Sequence, residues 1–322
     1  MMKILNKILF WLNCARVYSL PITVLNWFVI FVYTLKHNSN VILGILALAG
    51  ISLVHMATNL IDDYFDYKIL IKDENFLNSA QNCKCLYLKN KQATVDELKY
   101  AIITFLALAG IIGSVLFFLS GYYVAVLALA GLGIAISYQK FSICGIGELA
   151  VFLAYGPLLY EGTYYVMTGK FSIDVLILSI ACVLMTITVL YVHMLMDYDG
   201  DECSHKKTLC RFMKTKEVAL NFLLVFYLGG FAGMTFFAVL TKNYFYLLTF
   251  LTVPMICELY KTLKNFNEDK TNLPDVKFWH YPLDNWEKIR TSPDAPFYFR
   301  FFYSRNILTW FLLLTCLATM CD

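Results

Sequence analysis

The sequence predicts an all-α membrane protein whose helices cross the bilayer nine times. Of its 322 residues, 59% are hydrophobic and only 15% are charged, a balance far from that of a soluble domain. Long apolar stretches recur along the chain and are separated by short polar segments. Basic residues gather at alternating ends of these stretches. We therefore expect most of the chain to lie in lipid.

Each predicted span is long enough to cross the bilayer, because about 20 helical residues span a hydrocarbon core of ~30 Å. Such stretches occur at residues 17–35, 41–65, 97–119, 121–138, 147–168, 172–198, 218–240, 243–263 and 299–320. No polar segment is long enough to fold alone, so residues 1–322 are predicted to form one membrane domain. Its three substantial loops are 66–98, 198–217 and 264–298.

The distribution of Lys and Arg predicts the orientation, since these residues accumulate in cytoplasmic loops. On one side of the predicted membrane lie 23 of the 26 Lys and Arg residues, whereas Lys36, Lys170 and Lys242 lie on the other. The N-terminus and the three loops are therefore expected in the cytoplasm of a bacterial or archaeal cell. The net charge of +3 is too small to indicate nucleic acid binding. The basic loops instead suit anionic lipid head groups.

The second predicted span ends in an acidic segment, HMATNLIDDYFDY at residues 55–67. At about 100° per residue, one helix face carries five of its polar side chains. They are His55, Asn59, Asp62, Asp63 and Asp66. Two carboxylates ~4 Å apart repel by about 4 kcal/mol at an effective dielectric constant near 20, and an acid at bilayer depth costs several kcal/mol more. A positively charged partner is therefore expected.

The sixth span ends in a second acidic segment, HMLMDYDGDECSHKKTL at residues 193–209. Its helical face carries His193, Asp197 and Asp201, whereas Asp199 points elsewhere unless the helix frays at Gly200. Carboxylates without an accompanying His and Cys set favour a hard cation, and Mg²⁺ commonly takes one or two carboxylates together with waters and substrate phosphates. Either segment alone could be a solvated helix end. Together they predict a Mg²⁺-diphosphate site, with any polyprenyl tail of the substrate in lipid.

Four motifs in order resemble the UbiA superfamily of intramembrane prenyltransferases, most closely its menaquinone branch of 1,4-dihydroxy-2-naphthoate polyprenyltransferases. They are ARVYSLP at 15–21, NLIDDYFDYK at 59–68, GIGELAVFLAYGPLLYEGTYYVMTG at 145–169 and DYDGDECSHKKTL at 197–209. The resemblance implies a nine-helix bundle around a central cavity that is capped on the cytoplasmic side. It also implies Mg²⁺-dependent transfer of a polyprenyl group from polyprenyl diphosphate to an aromatic quinone precursor.

The same resemblance assigns roles to individual residues. The implied Mg²⁺ ligands are Asp63, Asp66, Asp197 and Asp201, with Asp62 and Asp199 as further candidates. Diphosphate binding is implied for Arg16, Asn59, Lys140, Lys206 and Lys207. Tyr138 matches a family tyrosine near the allylic cation that develops during transfer. Arg16 and the lysines would offset the charge on the diphosphate, which makes it a better leaving group.

Departures from the family pattern concern the acceptor more than the diphosphate. Asp62 stands where the family usually has Asn, and HMLMD at 193–197 replaces the branch's usual Asn-Asn-x-Arg-Asp. A prenyl transfer to a non-quinone acceptor is therefore an alternative. A cation transporter and a non-catalytic lipid-binding homologue are alternatives of other classes. Transport predicts acids near mid-membrane, whereas both acidic segments here are predicted at one end of the bundle.

Overall fold

We describe a computed structural model that covers residues 2–70, 85–199 and 208–321. All regular secondary structure in these ranges is helical, and they contain no β-strand. The predicted all-α class is therefore confirmed. Asp201, Lys206 and Lys207 were predicted as site residues and lie outside the described residues.

Eleven α-helices of seven residues or more organise the part of the chain that the structure describes. They are α1 Met2–Cys14, α2 Leu20–Thr34, α3 Val41–Leu70, α4 Val95–Ser120, α5 Tyr123–Ile143, α6 Gly147–Leu153, α7 Leu159–Thr168, α8 Ile173–Met196, α9 Lys216–Thr241, α10 Val253–Glu268 and α11 Ala295–Met320. Local sequence explains several helix starts. Thr94 and Glu97 form a capping box before α4, and the Thr215 side chain accepts from the Val218 amide at the start of α9.

Seven helical segments within the described ranges are long and apolar enough to span a membrane. They are Val17–Thr34, Val41–Lys68, Val95–Ser120, Tyr123–Ser142, Ile173–Met196, Lys216–Thr241 and Ala295–Met320. Each matches one predicted span. The length and composition of these helices support an integral membrane protein.

The other two predicted spans, 147–168 and 243–263, are interrupted helices, so the count of nine is not confirmed. Between α6 and α7 the chain forms a π-helical turn, Ala154–Leu158, in which Gly156 has φ −94° and ψ −108° and is followed by Pro157. Proline has no amide hydrogen and disfavours the α conformation in the residue before it. The second interruption is a 3₁₀ segment, Tyr244–Thr252, ahead of α10.

Helix α8 lies at the centre of the packed structure. It contacts α9, α11 and the π-helical turn, and most of its length is buried. Helices α4 and α5 are mostly exposed and carry large apolar side chains such as Phe118 and Leu129 on their outer faces. A lipid environment accounts for such faces, since a soluble monomer rarely exposes a continuous apolar surface of this size.

The third predicted loop, 264–298, is joined to its neighbouring helices by polar contacts. The Arg300 side chain of α11 is fully buried and donates to the carbonyl oxygens of Thr262 at 2.8 Å and Asn272 at 3.0 Å. In α10, the Glu258 carboxylate accepts from Lys277 of the loop at 2.9 Å. The loop is therefore part of the packed structure.

Candidate active site

Arg16 supplies the positive charge that the acids at the end of α3 require. It lies between α1 and the short 3₁₀ helix Val17–Ser19, in the left-handed conformation at φ 56°. Its guanidinium pairs with the Asp63 carboxylate, and its Nη1 lies 3.7 Å from Oδ2 of Asp62. The Asp63 side chain is fully buried, whereas those of Arg16 and Asp62 are each 14% exposed. A buried ion pair thus forms the inner wall of the site.

Asn59 holds the turn that presents Arg16. Its side-chain amide donates to the carbonyl oxygen of Ala15 at 2.9 Å and to the Ser19 hydroxyl at 3.3 Å. Ser19 in turn donates to the Arg16 carbonyl oxygen at 2.7 Å. Asn59, predicted as a diphosphate-binding residue, is therefore placed beside the acids, where it fixes the backbone on which Arg16 sits.

Tyr87 covers the Asp63 side of the site and is not part of any motif named above. It belongs to the short helix Leu86–Lys89, and its ring packs edge-on against Phe10 and Trp11 with centroids 6.0 Å from each. Burial raises the pKa of the Tyr87 hydroxyl far above its ordinary value, and the neighbouring Asp63 carboxylate raises it further. The hydroxyl therefore stays protonated beside a buried carboxylate.

Helix α5 faces the acids through Gln139. Gln139 is buried and donates from Nε2 to Oδ1 of Asp66 at 3.3 Å. Lys140, the predicted diphosphate ligand, is exposed at the end of the same helix. Tyr138, the residue that the resemblance puts near the allylic cation, lies close enough to Asp62 for the two groups to interact electrostatically. The two neighbours Gln139 and Lys140 point differently because successive helical side chains are ~100° apart.

The second acidic end begins at Asp197, which caps the C-terminus of α8. His193, one turn earlier, has Nδ1 3.4 Å from Oδ2 of Asp197. The imidazole ring meets Phe297 and Phe301 of α11 edge-on, with centroid distances of 5.2 Å and 5.7 Å. The Asp197 side chain is 40% exposed and is therefore in contact with water. The Asp63 side chain is fully buried and is not.

Asp199 is turned toward the lysines of two other segments. Its Oδ2 lies 2.8 Å from Nζ of Lys216 and 2.6 Å from Nζ of Lys270. Partial burial acts to raise the pKa of the Asp199 carboxyl, but the two lysines outweigh it and lower the pKa below its ordinary value. Asp199 therefore connects the end of α8 to α9 and to the segment 264–298.

Tyr298 interacts electrostatically with residues near both acidic ends. Its hydroxyl interacts electrostatically with both Asp197 and Tyr18. Tyr18, on the 3₁₀ helix next to Arg16, acts in turn on the Arg16 guanidinium. Both acidic ends therefore have Tyr18 or Tyr298 in their electrostatic surroundings.

The donor chemistry of these side chains fits Mg²⁺, a hard cation that prefers oxygen ligands. Oxygen donors are present at both acidic ends: Asp66 accepts from Gln139 at 3.3 Å, and Asp197 lies 3.4 Å from His193. No group of three or more His, Cys, Asp or Glu converges within residues 2–70, 85–199 and 208–321. Mg²⁺ needs only one or two protein carboxylates when substrate phosphates and waters complete its shell.

Comparison with known proteins decides the family. The profile of the UbiA prenyltransferase family matches residues 19–281. The chain belongs to the UbiA prenyltransferase family. It is therefore a prenyltransferase enzyme, which sets aside the transporter and the non-catalytic homologue. The family match begins at Ser19 and extends over both acidic helix ends.

This UbiA family member is similar to two further proteins. A 1,4-dihydroxy-2-naphthoate octaprenyltransferase of Haemophilus influenzae is 25% identical over 221 residues, which are 64% of this chain and 70% of the relative. The solved structure of a digeranylgeranylglyceryl phosphate synthase in membranes superposes with a TM-score of 0.64 at 14% identity, over 98% of this chain and 100% of that chain. At that identity the likeness establishes the fold.

Proposed function

We propose that this UbiA prenyltransferase transfers a polyprenyl group from polyprenyl diphosphate to an aromatic acceptor of the 1,4-dihydroxy-2-naphthoate kind, in a Mg²⁺-dependent reaction. The observation that carries the proposal is the buried Arg16–Asp63 pair, flanked by Asp62 and Asp66 at the end of a membrane-spanning helix. Such a site combines fixed positive charge with carboxylates beside lipid. The name of the Haemophilus influenzae relative supports the acceptor class.

The surroundings of each residue determine which part of the reaction it is proposed to serve. Arg16 is fixed by Asp63 and offers its guanidinium to the charge that develops on the departing diphosphate, which stabilises the transition state. Asp66 and Asp197 would hold Mg²⁺, which when bound neutralises the diphosphate. Gln139 orients the Asp66 carboxylate, and Tyr138 lies beside the prenyl carbon as positive charge develops there.

The proposed topology follows from the same assignment. We take 147–168 and 243–263 as the two further spans, each broken where it approaches the site or the bilayer surface, which gives nine crossings. Irregular backbone at membrane depth is tolerated where it is buried in protein or lines a cavity. The strong Lys and Arg asymmetry supports a cytoplasmic location for the acidic ends, and the segment 264–298 would form the cap over them.

The same transfer to a non-quinone acceptor is the second candidate. The observation that favours it is the replacement of the branch's Asn-Asn-x-Arg-Asp by HMLMD, which removes an arginine from the wall next to Asp197. In its place His193 packs between the Asp197 carboxylate and the rings of Phe297 and Phe301. That wall offers less positive charge to an acceptor carboxylate.

The decisive experiment is transfer by purified protein in detergent with Mg²⁺, labelled prenyl diphosphates of several lengths, and panels of aromatic and non-aromatic acceptors. Asp66→Asn and Asp197→Asn are expected to lower kcat/KM by about 100-fold or more, on the scale of lost transition-state stabilisation. Asp96→Asn is the matched control, because Asp96 is an exposed carboxylate that pairs with Lys99.

Three outcomes separate the parts of the proposal. Wild-type rates in both Asp66→Asn and Asp197→Asn would remove the metal assignment. Transfer to non-aromatic acceptors alone would select the second candidate. Absence of transfer with every diphosphate and acceptor would remove the proposed function.

A further inference from the structure

Four polar side chains form a continuous hydrogen-bonded chain that runs from the acidic end of α3 toward the membrane interior. The Ser19 hydroxyl lies 3.0 Å from Nε2 of His55, and the Thr23 hydroxyl lies 2.6 Å from Nδ1 of the same ring. The Tyr155 hydroxyl lies 3.1 Å from both Thr23 Oγ1 and His55 Nδ1. His55 precedes Asp63 by eight residues, or about 12 Å along a helix. We name this set the serine–histidine–tyrosine chain.

The direction of these hydrogen bonds can be assigned from the serine end. Ser19 uses its only hydroxyl hydrogen on the Arg16 carbonyl oxygen, so it must accept from Nε2–H of His55. A neutral imidazole has a single N–H. Nδ1 is therefore an acceptor, and the close Thr23 hydroxyl donates to it.

Tyr155 is consequently the open end of the serine–histidine–tyrosine chain. Its hydroxyl hydrogen is directed to Thr23 or to His55, while its oxygen keeps lone-pair capacity for one further donor. Hydrogen bonds that point the same way along a chain polarise one another. The Tyr155 oxygen is thereby made a better acceptor, and this side chain is only partly buried.

The backbone that carries Tyr155 is irregular at this point. Tyr155 lies in the π-helical turn Ala154–Leu158, and a Cβ added at the next residue, Gly156, would come within 3.0 Å of the Val183 side chain. A π turn inside a helix is frequent at functional sites. Polar side chains within a membrane span are costly and mark functional sites by default.

The surroundings define the chemical group that this oxygen suits. The cation that acts on His55 is Arg16, which is already bound to Asp63. Tyr155 also interacts electrostatically with Tyr138, the residue assigned beside the prenyl carbon. A neutral hydroxyl donor on a ring held next to the prenyl carbon matches this environment, whereas a carboxylate would meet a lone-pair acceptor.

We propose that the Tyr155 hydroxyl, oriented by Thr23 and His55, binds a hydroxyl group of the acceptor and selects hydroxylated rings over their methyl ethers. This inference rests on the proposed prenyl transfer and adds how its acceptor is recognised. Tyr155 contacts the acceptor, and Thr23 and His55 are positioning residues. A site built to bind a substrate hydroxyl discriminates strongly against an analogue that lacks it.

The test combines a change in the protein with a change in the ligand. Equilibrium binding to protein in detergent is measured for 1,4-dihydroxy-2-naphthoate and for each of its two monomethyl ethers. We expect wild type to bind the diol at least ~10-fold more tightly than the ether at the recognised position, a factor that corresponds to one hydrogen bond. Tyr155→Phe should remove that preference, while binding of the prenyl diphosphate stays unchanged.

Tyr160→Phe is the matched control, because it removes another tyrosine hydroxyl a few residues further along the same interrupted helix. Tyr160 is fully buried and donates to Asn26 at 3.2 Å, so its loss perturbs packing without touching the serine–histidine–tyrosine chain. The diol preference should persist in this variant. Thr23→Val should reduce the preference partially, since it keeps the shape of the side chain but removes the hydroxyl that orients Tyr155.

Two results would overturn the inference: Tyr155→Phe with the full diol preference, or wild type without any preference. Neither result touches the proposed function, which is judged separately by transfer to any acceptor. If wild type prefers the diol in binding yet transfers no prenyl group, the proposed function fails while the recognition site stands. If Tyr155→Phe does not fold, the preference for the diol over its monomethyl ethers is measured in Thr23→Val and His55→Gln instead.

Discussion

The two acidic helix ends differ in how far water reaches their carboxylates. At the end of α3, Asp63 is fully buried against Arg16. At the end of α8, the side chains of Asp197 and Asp199 are 40% and 41% exposed. A buried acid needs a fixed cation nearby, whereas a hydrated one does not. The first end is therefore assembled with the fold, and the second stays open to solvent and substrate.

Because of this difference in burial, substitutions at the two ends are expected to affect folding stability to different extents. Removing one partner of a buried ion pair costs about 3–5 kcal/mol, because the other charge is left without compensation. An exposed pair contributes about 0–1 kcal/mol. Two motifs that look alike in sequence are thus expected to respond very differently to the same substitution. The following predictions test that contrast, beginning with the largest effect.

Asp63→Asn should have the largest effect of any single substitution at the site. It leaves the largely buried Arg16 guanidinium with only the more distant Asp62 carboxylate at 3.7 Å, and we expect a loss of about 3 kcal/mol in stability together with loss of transfer. Thermal unfolding in detergent and the prenyl-transfer assay measure the two effects. Asp197→Asn should lower kcat/KM by about 100-fold or more with little change in unfolding temperature, since its carboxylate is hydrated.

The double variant Asp63→Asn/Arg16→Gln distinguishes the buried charge from other causes. It removes both charges, so much of the stability should return while transfer stays absent. If the double variant is no more stable than Asp63→Asn alone, the loss of the Asp63 charge opposite Arg16 is not the cause of the lost stability. The two ends would then not differ in the way proposed.

Arg300→Met should produce the next largest effect, on the segment that carries Lys270 to the second end. Arg300 is fully buried and also donates to the Pro296 carbonyl oxygen at 2.8 Å. The substitution removes the hydrogen bonds by which Arg300 joins α10 and the segment at Asn272 to α11, and we expect a loss of about 2–3 kcal/mol in stability. Faster proteolysis within 264–298 would report the loosened segment.

Arg290→Met is the control for this substitution. Arg290 belongs to the same segment but is 55% exposed and pairs with the exposed Glu287. Its loss should change stability by less than about 1 kcal/mol. Equal effects of Arg300→Met and Arg290→Met would mean that the buried contacts do not hold the segment.

Much of the fold could be predicted from hydropathy, because seven long apolar helices need little besides length and composition to form in lipid. The interruptions at Gly156 and in Tyr244–Thr252 could not. A π turn depends on tertiary contacts such as the close approach of Val183, and apolar composition is the same in a straight and in a broken helix. Pro157 lies in the first break, and Pro254 lies at the start of the helix that follows the second.

The site was predictable where the signal was charge. The spacing of Asp62, Asp63 and Asp66 on one face required a cation, and Arg16 meets that need. Tyr87 and the Ser19–His55 contact were not predictable, because neutral polar residues become informative only when distant helices meet. Gln139 was not predicted, because the positive charge of its neighbour Lys140 matched the expected diphosphate chemistry. The structure has the Lys140 side chain exposed and Gln139 in contact with Asp66.

Gln139→Leu tests that last point and should lower transfer by roughly 10-fold, the low end of the effect of losing a partner that orients a metal ligand. Lys140→Met should have a smaller effect because its side chain is exposed. The Mg²⁺ concentration for half-maximal rate should rise in Gln139→Leu and not in Lys140→Met. A larger loss of transfer in Lys140→Met than in Gln139→Leu would support the predicted diphosphate-binding role of Lys140.

Asp199→Asn should have the smallest effect, at most about 1 kcal/mol in stability, because the pair with Lys216 and Lys270 is exposed. The lowered pKa of Asp199 fixes the direction of its pH dependence. Its contribution is present above the ordinary carboxyl value of 3.8 and is lost as the pH falls below it. Unfolding measured between pH 6 and pH 3 should therefore show a slightly smaller loss of stability in Asp199→Asn than in wild type. Transfer at neutral pH should persist, and its disappearance would instead make Asp199 a metal ligand, so that the second end, like the first, would depend on each of its acids.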